Sequence, residues 1–321
     1  MKPRVVVVGS SNTDLILRLD QIPRPGETRL GGTYFSAPGG KGANQAVAAA
    51  RAGGRVTFVT RLGRDALGDA ALAAFQRDRL DVRFVRRDRR APSGVALIFV
   101  SRKGENSIGV APGANAALSP ADVRRAARAI AEADALLVQL EIPRPAVETA
   151  VTLAARAGTP VLLNPAPAAP LSPPLLRQVG ILTPNESEAA QLSGVEVRTA
   201  RDAVRAAQIL RRQGAKTVIV TRGARGAVVV SDAGVTRVPA FRVRPVDTTA
   251  AGDVFNGALA VALGGGRALP DAVRFAAAAA ALSVTRPGAQ PSVPRRAAIH
   301  RLLAAPPPPA APGTTGRAGR T

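Results

Sequence analysis

From Ser119 onward, short apolar runs alternate with longer Ala-rich segments of helical period, and that rhythm admits few folds. Helices are expected over residues 120–133 (capped by Ser119), 145–157, 186–193, 199–213, 251–263 and 269–285. Strands are expected between them, at 135–140, 160–164, up to Leu182, and at 216–221, followed by a strand pair at 226–230 and 235–238. Strands joined through helices form a mostly parallel sheet covered on both faces, with right-handed crossovers. The Val run at residues 5–8 suits a first strand buried on both sides. A turn-to-helix segment at 39–52, a strand at 55–60 and a helix at 67–79 follow. Ligands of such sheets sit at the carboxyl ends of the strands, so polar residues just after each strand are the ones to read.

Two segments break the rhythm. Leu15, Ile16, Leu17 and Leu19 precede a Pro/Gly turn at 23–26, after which residues 27–34 alternate. Residues 93–110 alternate around a second turn at 102–105. Both read as strand pairs lying off the main sheet and able to pair with each other. The tail from Ala304, with four consecutive prolines at 306–309, lacks apolar residues for a core and is expected to be disordered.

Composition narrows the chemistry. The 321 residues include no cysteine and a single histidine, His300. Disulfides, thiolate nucleophiles and His-rich metal sites are excluded, so acid–base work falls to Asp, Glu, Lys or Tyr. The net charge of +22 comes mostly from Arg scattered along the chain, and aromatic residues are only 3 %. Nucleic-acid binding would need clustered charge and stacking platforms, so no nucleic-acid partner is expected, although the charge would draw in an anionic nucleotide. No stretch reaches the roughly 18 apolar residues of a membrane helix, and residues 1–10 lack a signal-peptide pattern. The expected setting is cytoplasmic, with no membrane partner.

The chemistry concentrates in residues 246–260, a polar turn that tightens through small residues into an apolar helix. Ala250, Ala251 and Gly252 leave little side chain between the backbone N–H groups and an approaching ligand, which makes an anion site of the helix start. Asp253 in that first turn reads as a general base beside a phosphoryl group; plain N-capping is the alternative. Asn12 and Asp14, after the first strand, can bind sugar hydroxyls or form an Asx turn. Lys41 and Asn44 supply hydrogen bonds from a Gly-rich turn that lacks the Walker pattern. Glu141 follows a strand, as does the segment at 164–168 that starts with Asn164. Asn185 and Glu188, one turn apart, can face phosphates and hydrated Mg²⁺, or can cap a surface helix. The glycines of 221–226 permit a tight turn against a base or a phosphate.

These residues carry a family likeness. Gly39-Gly40-Lys41-Gly42-Ala43-Asn44, with Gly53 and Gly63 downstream, resembles the first signature of the ribokinase-like carbohydrate kinases. Residues 247–260 resemble the second, and the segments at 9–14, 104–106, 139–141, 164–168, 183–186 and 285–294 are similar to the ribokinase branch. The likeness spans about residues 5–294. It implies a three-layer α/β/α domain over residues 1–304, with a small β-sheet lid made of segments near 14–36 and 92–111. It also implies an ATP-dependent kinase that phosphorylates D-ribose at O5; kinases for deoxyribose or nucleosides share both signatures, and a non-catalytic sugar-binding protein is the distant alternative. On this likeness Asp253 is the base, and Ala250, Ala251 and Gly252 form the anion hole. Asn12, Thr13, Asp14, Gly40, Lys41, Gly42, Ala43, Asn44 and Glu141 surround the sugar. Asn185, Glu188, Thr221, Arg222, Gly223, Ala224, Arg225, Gly226, Gly252 and Ala277 lie along ATP, where Ala277 replaces the larger polar residue expected near adenine. Mg²⁺ accompanies ATP, and a monovalent cation, K⁺, sits at Asp247, Thr249, Ser283, Arg286, Gly288 and Ser292. The lid implies a homodimer.

Overall fold

The computed structural model describes residues 1–305; of the tail expected to be disordered, Ala304 instead ends a helix, and residues 306–321 lie outside the described residues. The chain opens with β1 (Arg4–Val8), whose Val side chains alternate between two separate cores. Val5 and Val7 join one, Val6 and Val8 the other, as a strand covered by helices on both faces requires. The lid begins at once with β2 (Asn12–Leu19) and β3 (Thr33–Gly39), and the chain then returns through α1 (Lys41–Arg51), β4 (Arg55–Gly63), α2 (Ala66–Arg77) and β5 (Val85–Asp88). A second lid pair, β6 (Gly94–Ser101) and β7 (Asn106–Ala111), precedes α3 (Pro120–Arg124) and α4 (Ala127–Ala131). Next come β8 (Ala135–Val138), α5 (Arg144–Ala157), β9 (Val161–Leu163), α6 (Pro173–Leu176), β10 (Ile181–Leu182), α7 (Glu186–Ser193), α8 (Ala200–Arg212) and β11 (Thr217–Thr221). The strands β12 (Ala227–Ser231) and β13 (Gly234–Val238) and the helices α9 (Ala251–Gly264), α10 (Leu269–Ser283) and α11 (Arg296–Ala304) close the described chain.

The main sheet has nine strands in the order β13-β12-β11-β10-β9-β8-β1-β4-β5, and only β12 runs against the rest. The order reverses at β1: the chain leaves it toward β4 on one side and later returns to β8 on the other. The diverging connections open a crevice at the carboxyl ends of β1 and β8. One core packs α1, α9 and α10 against the sheet; the other packs α5 and α8. The lid is a second, four-stranded sheet, β3-β2-β6-β7, in which β2 pairs with β6 in parallel and the outer strands pair antiparallel.

Several sequence boundaries shift. The second lid strand is not at 27–34 but at Thr33–Gly39, because its register partner Asn12 stands opposite Gly39. The single helix expected at 120–133 is two short ones, with Ser119 forming a capping box with Asp122 at the first. β5, α6 and α11 are further elements of the described chain. β5 reads Val-Arg-Arg-Asp, a charged edge strand without the apolar alternation that marks a strand.

Candidate active site

The helix expected to start the chemistry does so with its N-terminus bare. Ala250, the N-cap, sits in the left-handed region at φ 59° and provides no side-chain cap. The Ala251 N–H bonds the Thr248 carbonyl at 3.3 Å, whereas those of Gly252 and Asp253 bond no acceptor among the described residues. Two free N–H groups at the positive end of a 14-residue helix have the geometry expected of an anion hole. Asn256, one turn on, donates to the Gly252 carbonyl at 2.8 Å and accepts from the Thr183 hydroxyl at 2.6 Å, which ties this end of α9 to the end of β10.

Asp253 is buried beneath that hole. Its carboxylate accepts from Asn44 Nδ2 at 3.0 Å and from Gln45 Nε2 at 2.9 Å. Burial pushes its pKa upward, while the Lys41 charge and the two amide donors pull the other way. The result is a carboxylate more basic than a surface aspartate and held in one orientation, which suits a general base.

The residues expected at the sugar gather where β1, β2, α1 and β8 meet. Glu141 accepts from the Ser10 hydroxyl at 2.6 Å and from the Lys41 N–H at 2.9 Å, and so caps α1 from another element. This packing needs bare backbone: a Cβ on Gly42 would come within 2.5 Å of the Gly9 carbonyl carbon. Asn12 is oriented by Asn115, which donates to its Oδ1 at 2.7 Å. Asp14 lies with its carboxylate against Gly39, and burial, then the charges of Glu141 and Asp253, raise its pKa to about 6. The half-buried Lys41 ammonium is pushed down by desolvation, but Asp253, Glu141 and Glu188 around it give a net rise, so it stays charged.

Two cavities meet at Gly252. The smaller, of about 180 Å³, is lined by Lys41, Glu188, Asp253 and their neighbours. The larger, of about 450 Å³, runs from Thr221, Gly223, Ala224 and Gly226 to Ala277. Thr221, Thr248, Ala251 and Gly252 line both. Asn185 and Glu188 turn out to satisfy each other as a capping box, with Glu188 N–H to Asn185 Oδ1 at 2.8 Å and Asn185 N–H to Glu188 Oε2 at 2.9 Å. The helix cap is therefore seen for this pair; Asn185 Nδ2 and Glu188 Oε1 take no part in it, and both residues line the smaller cavity. Burial raises the Glu188 pKa, against the Asn185 N–H and Lys41.

Other expected contacts move away. Thr13 lies between Asn12 and Asp14 on a regular strand, which puts it on the opposite face of the lid sheet. Ala43 is fully buried, its N–H bonded to the Ser10 carbonyl, so it packs the site rather than lining it. Arg222 and Arg225 do not line the large cavity; both clasp Glu186, at 2.9 and 2.6 Å.

Behind the anion hole, Asp247 accepts from the Thr249 N–H at 2.9 Å and the Gly288 N–H at 2.8 Å, stapling two loops together. Partial burial pushes its pKa up, but these bonds bring it below the usual carboxylate range. The Ser283 and Ser292 hydroxyls donate to the Ala280 and Ala289 carbonyls, both at 2.8 Å. Asp247 is the one carboxylate these loops offer beside their backbone carbonyls, and oxygen donors of that kind are what a hard cation takes. No cluster of three or more His, Cys, Asp or Glu side chains stands ready for a metal ion among the described residues. A divalent ion would therefore be held through the nucleotide's phosphates, with Glu188 Oε1 the available carboxylate.

The pfkB family of carbohydrate kinases matches residues 2–296. The chain belongs to this family. A Haemophilus influenzae ribokinase is 45 % identical over 297 residues, covering 92 % of this chain and 97 % of the relative. A Salmonella typhimurium deoxyribokinase is 37 % identical over 291 residues, covering 90 % and 95 %. The structure of Arabidopsis thaliana ribokinase complexed with ribose and ATP superposes with a TM-score of 0.89 at 33 % identity, over 95 % of this chain and all of that one.

In this pfkB kinase, sequence reasoning named Asn164 without its partners and missed Gln45, Asn115 and Asn256 as parts of the site. These three are buried polar residues, and each hydrogen-bonds a site residue or the Gly252 carbonyl. Gln45 and Asn256 sit inside Ala-rich helices, where a buried amide has to have a partner, and that was the available signal.

Proposed function

We propose that this pfkB kinase is an ATP-dependent ribokinase, converting D-ribose and ATP to D-ribose 5-phosphate and ADP. The observation that carries the reading is the buried Asp253 carboxylate beside the unpaired Gly252 and Asp253 N–H groups, at the junction of two cavities. Ribose lies in the lid-side space with its hydroxyls at Asn12, Asp14 and Glu141. The nucleotide fills the large cavity and passes its γ-phosphoryl group toward Gly252. Asp253 takes the proton from the 5-hydroxyl as its oxygen attacks phosphorus. The anion hole and Lys41 take up the charge that develops on the transferring group. Mg²⁺ accompanies ATP, screening its phosphates when bound, with Glu188 beside it. The loops of Asp247, Thr249, Ser283, Arg286, Gly288 and Ser292 would hold K⁺, which would supply positive charge behind the anion hole.

Lid residues Leu97, Ile108 and Val110 are 50 %, 55 % and 56 % exposed, and we propose that they meet a second copy of the chain in a homodimer. A need for ATP supports a cytoplasmic setting. No helix of the described residues is long and apolar enough to cross a membrane.

The deciding assay couples ADP release to a panel of ribose, deoxyribose, fructose and uridine with MgATP and either K⁺ or Na⁺. Ribose is expected to lead deoxyribose by at least about tenfold in kcat/KM, since a site built for hydroxyls is left unpaired by a sugar lacking one. Equal or better use of deoxyribose would move the chain to the deoxyribokinase branch. Indifference to K⁺ against Na⁺ would remove the cation site.

Two further outcomes follow from the walls of the cavities. Asp14, at about 6, is ionised above that pH and protonated below it. An ionised carboxylate accepts hydroxyl hydrogens from two directions, so the KM for ribose should be flat above pH 7 and climb as the pH falls through 6. Asp14→Asn should raise KM and flatten that dependence. At the base end, Ala240, Phe241, Val243, Phe255, Ala277 and Ala281 present apolar side chains. With Arg242 the one charged side chain on these walls and no carboxamide or carboxylate among them to read the adenine edge, kcat/KM for GTP should stay within about tenfold of ATP.

A further inference from the structure

We infer that Gln45 is a positioning residue that sets the orientation and basicity of Asp253 through a fixed chain of carboxamides; this rests on Asp253 being the base of the proposed kinase reaction. Asp253 is an acceptor when ionised, so each amide against it has to present its nitrogen. That single condition orients the whole network. Asn44 gives Nδ2 to Asp253 and is left with Oδ1, which accepts from Gln290 Nε2 at 3.2 Å. Gln45 gives Nε2 to Asp253 Oδ1 at 2.9 Å and shares the same nitrogen with Asn164 Oδ1 at 3.0 Å. Asn164 in turn donates Nδ2 to the Thr183 carbonyl at 3.1 Å. The Gln45 Oε1 accepts from Gln139 Nε2.

The two hydrogens of Gln45 and its oxygen are thus all engaged, and none of these groups is free to rotate without breaking a bond in the buried interior. Gln45 and Gln139 are both wholly buried. Gln139 lies against Gly9, where any side chain would strike its Oε1, and that oxygen has no partner. A buried amide that leaves one atom unsatisfied in order to donate from the other is placed for the donation. The network spans α1, the ends of β8, β9 and β10, and the loop of Gln290, so it fixes Asp253 against the sheet rather than against its own helix. Asp253 contributes its carboxylate from the first turn of α9 with both oxygens tied, leaving its remaining lone pairs toward the smaller cavity.

The charged groups facing Asp253 are Lys41 from α1, Glu141 after β8, Glu188 from α7 and Asp14 from the lid. Lys41 favours the ionised carboxylate, and Glu141, Glu188 and Asp14 oppose it. The amide donors act with Lys41, and removing one should therefore raise the pH at which the base ionises.

The test is Gln45→Met, which keeps the shape and removes all three hydrogen bonds, with Gln139→Leu as a second variant that reaches Asp253 only through Gln45. For Gln45→Met, kcat is expected to fall about 10- to 100-fold, the size of one hydrogen bond to a charged group. The ribose KM should stay within about threefold, and the acid limb of kcat/KM should move up by about one pH unit. Gln139→Leu should shift both kcat and the limb in the same direction by less. A merely structural role would lower melting temperature and active fraction and leave the limb in place. Gln45→Met with the wild-type limb and kcat overturns the inference; if that variant does not fold, a Gln139→Leu profile superposing on wild type overturns it instead. Inactive wild type on every sugar of the panel would refute the kinase reading itself, a result separate from either variant outcome.

Discussion

Asp253→Asn is expected to fold, to bind ribose near normally and to turn over about 10²–10⁴-fold more slowly, the usual contribution of a positioned general base. The amide has the shape of the carboxylate but little basicity, so what is lost is the proton transfer. The substitution also meets two donors, Asn44 Nδ2 and Gln45 Nε2, where the carboxylate accepted both. An amide at 253 accepts only one well, and the other is left unpaired in a buried setting at about 1–3 kcal/mol. A modest fall in melting temperature should therefore accompany the loss of rate. Steady-state kinetics beside ribose titration calorimetry separates the two effects. A kcat within tenfold of wild type would remove Asp253 from its role.

Gly252→Val should do the reverse of an ordinary core substitution. A Cβ at Gly252 meets no atom within 4 Å, and its backbone is not in the left-handed region, so the fold has room for a side chain. Replacing glycine in a helix usually helps stability by up to about 1 kcal/mol. The room, however, is the passage between the two cavities. Filling it blocks the approach of the phosphoryl group to the Gly252 and Asp253 N–H groups, and loss of anion-hole contacts costs about 10²–10³-fold in kcat. The expected result is a melting temperature at or above wild type with kcat/KM for ATP reduced at least about 100-fold. Wild-type activity in this variant would place the phosphoryl path elsewhere.

The sequence carried the architecture because the information was local. Alternating strand and helix periods, the Val run of β1 and the Ser119 cap each live within a dozen residues, and each is found where expected. β5 escaped because an Arg-rich edge strand gains its order from pairing with β4, not from an apolar pattern. The lid strand β3 was misplaced because its position is set by register against β2 rather than by its own alternation. In the site, residues at strand ends could be named, but not their partners. Asn44 was read as a sugar ligand and is seen holding Asp253, which lies 209 residues away. Asn185 and Glu188 were read with two meanings; the capping box is seen, and both residues also line the smaller cavity.

The bare start of α9 has one more consequence. Natural helices close this end with a Ser, Thr, Asp or Asn, whose oxygen takes the first free N–H groups and adds about 1 kcal/mol. Position 250 instead holds Ala in a left-handed conformation that L side chains seldom adopt. An Asp or Ser there would be a tethered competitor, seated where the travelling phosphoryl group has to pass and present at a concentration no substrate can match. Selection for a sturdier empty protein and selection for turnover pull this position in opposite directions. The chain has kept the version that is incomplete until its substrate arrives.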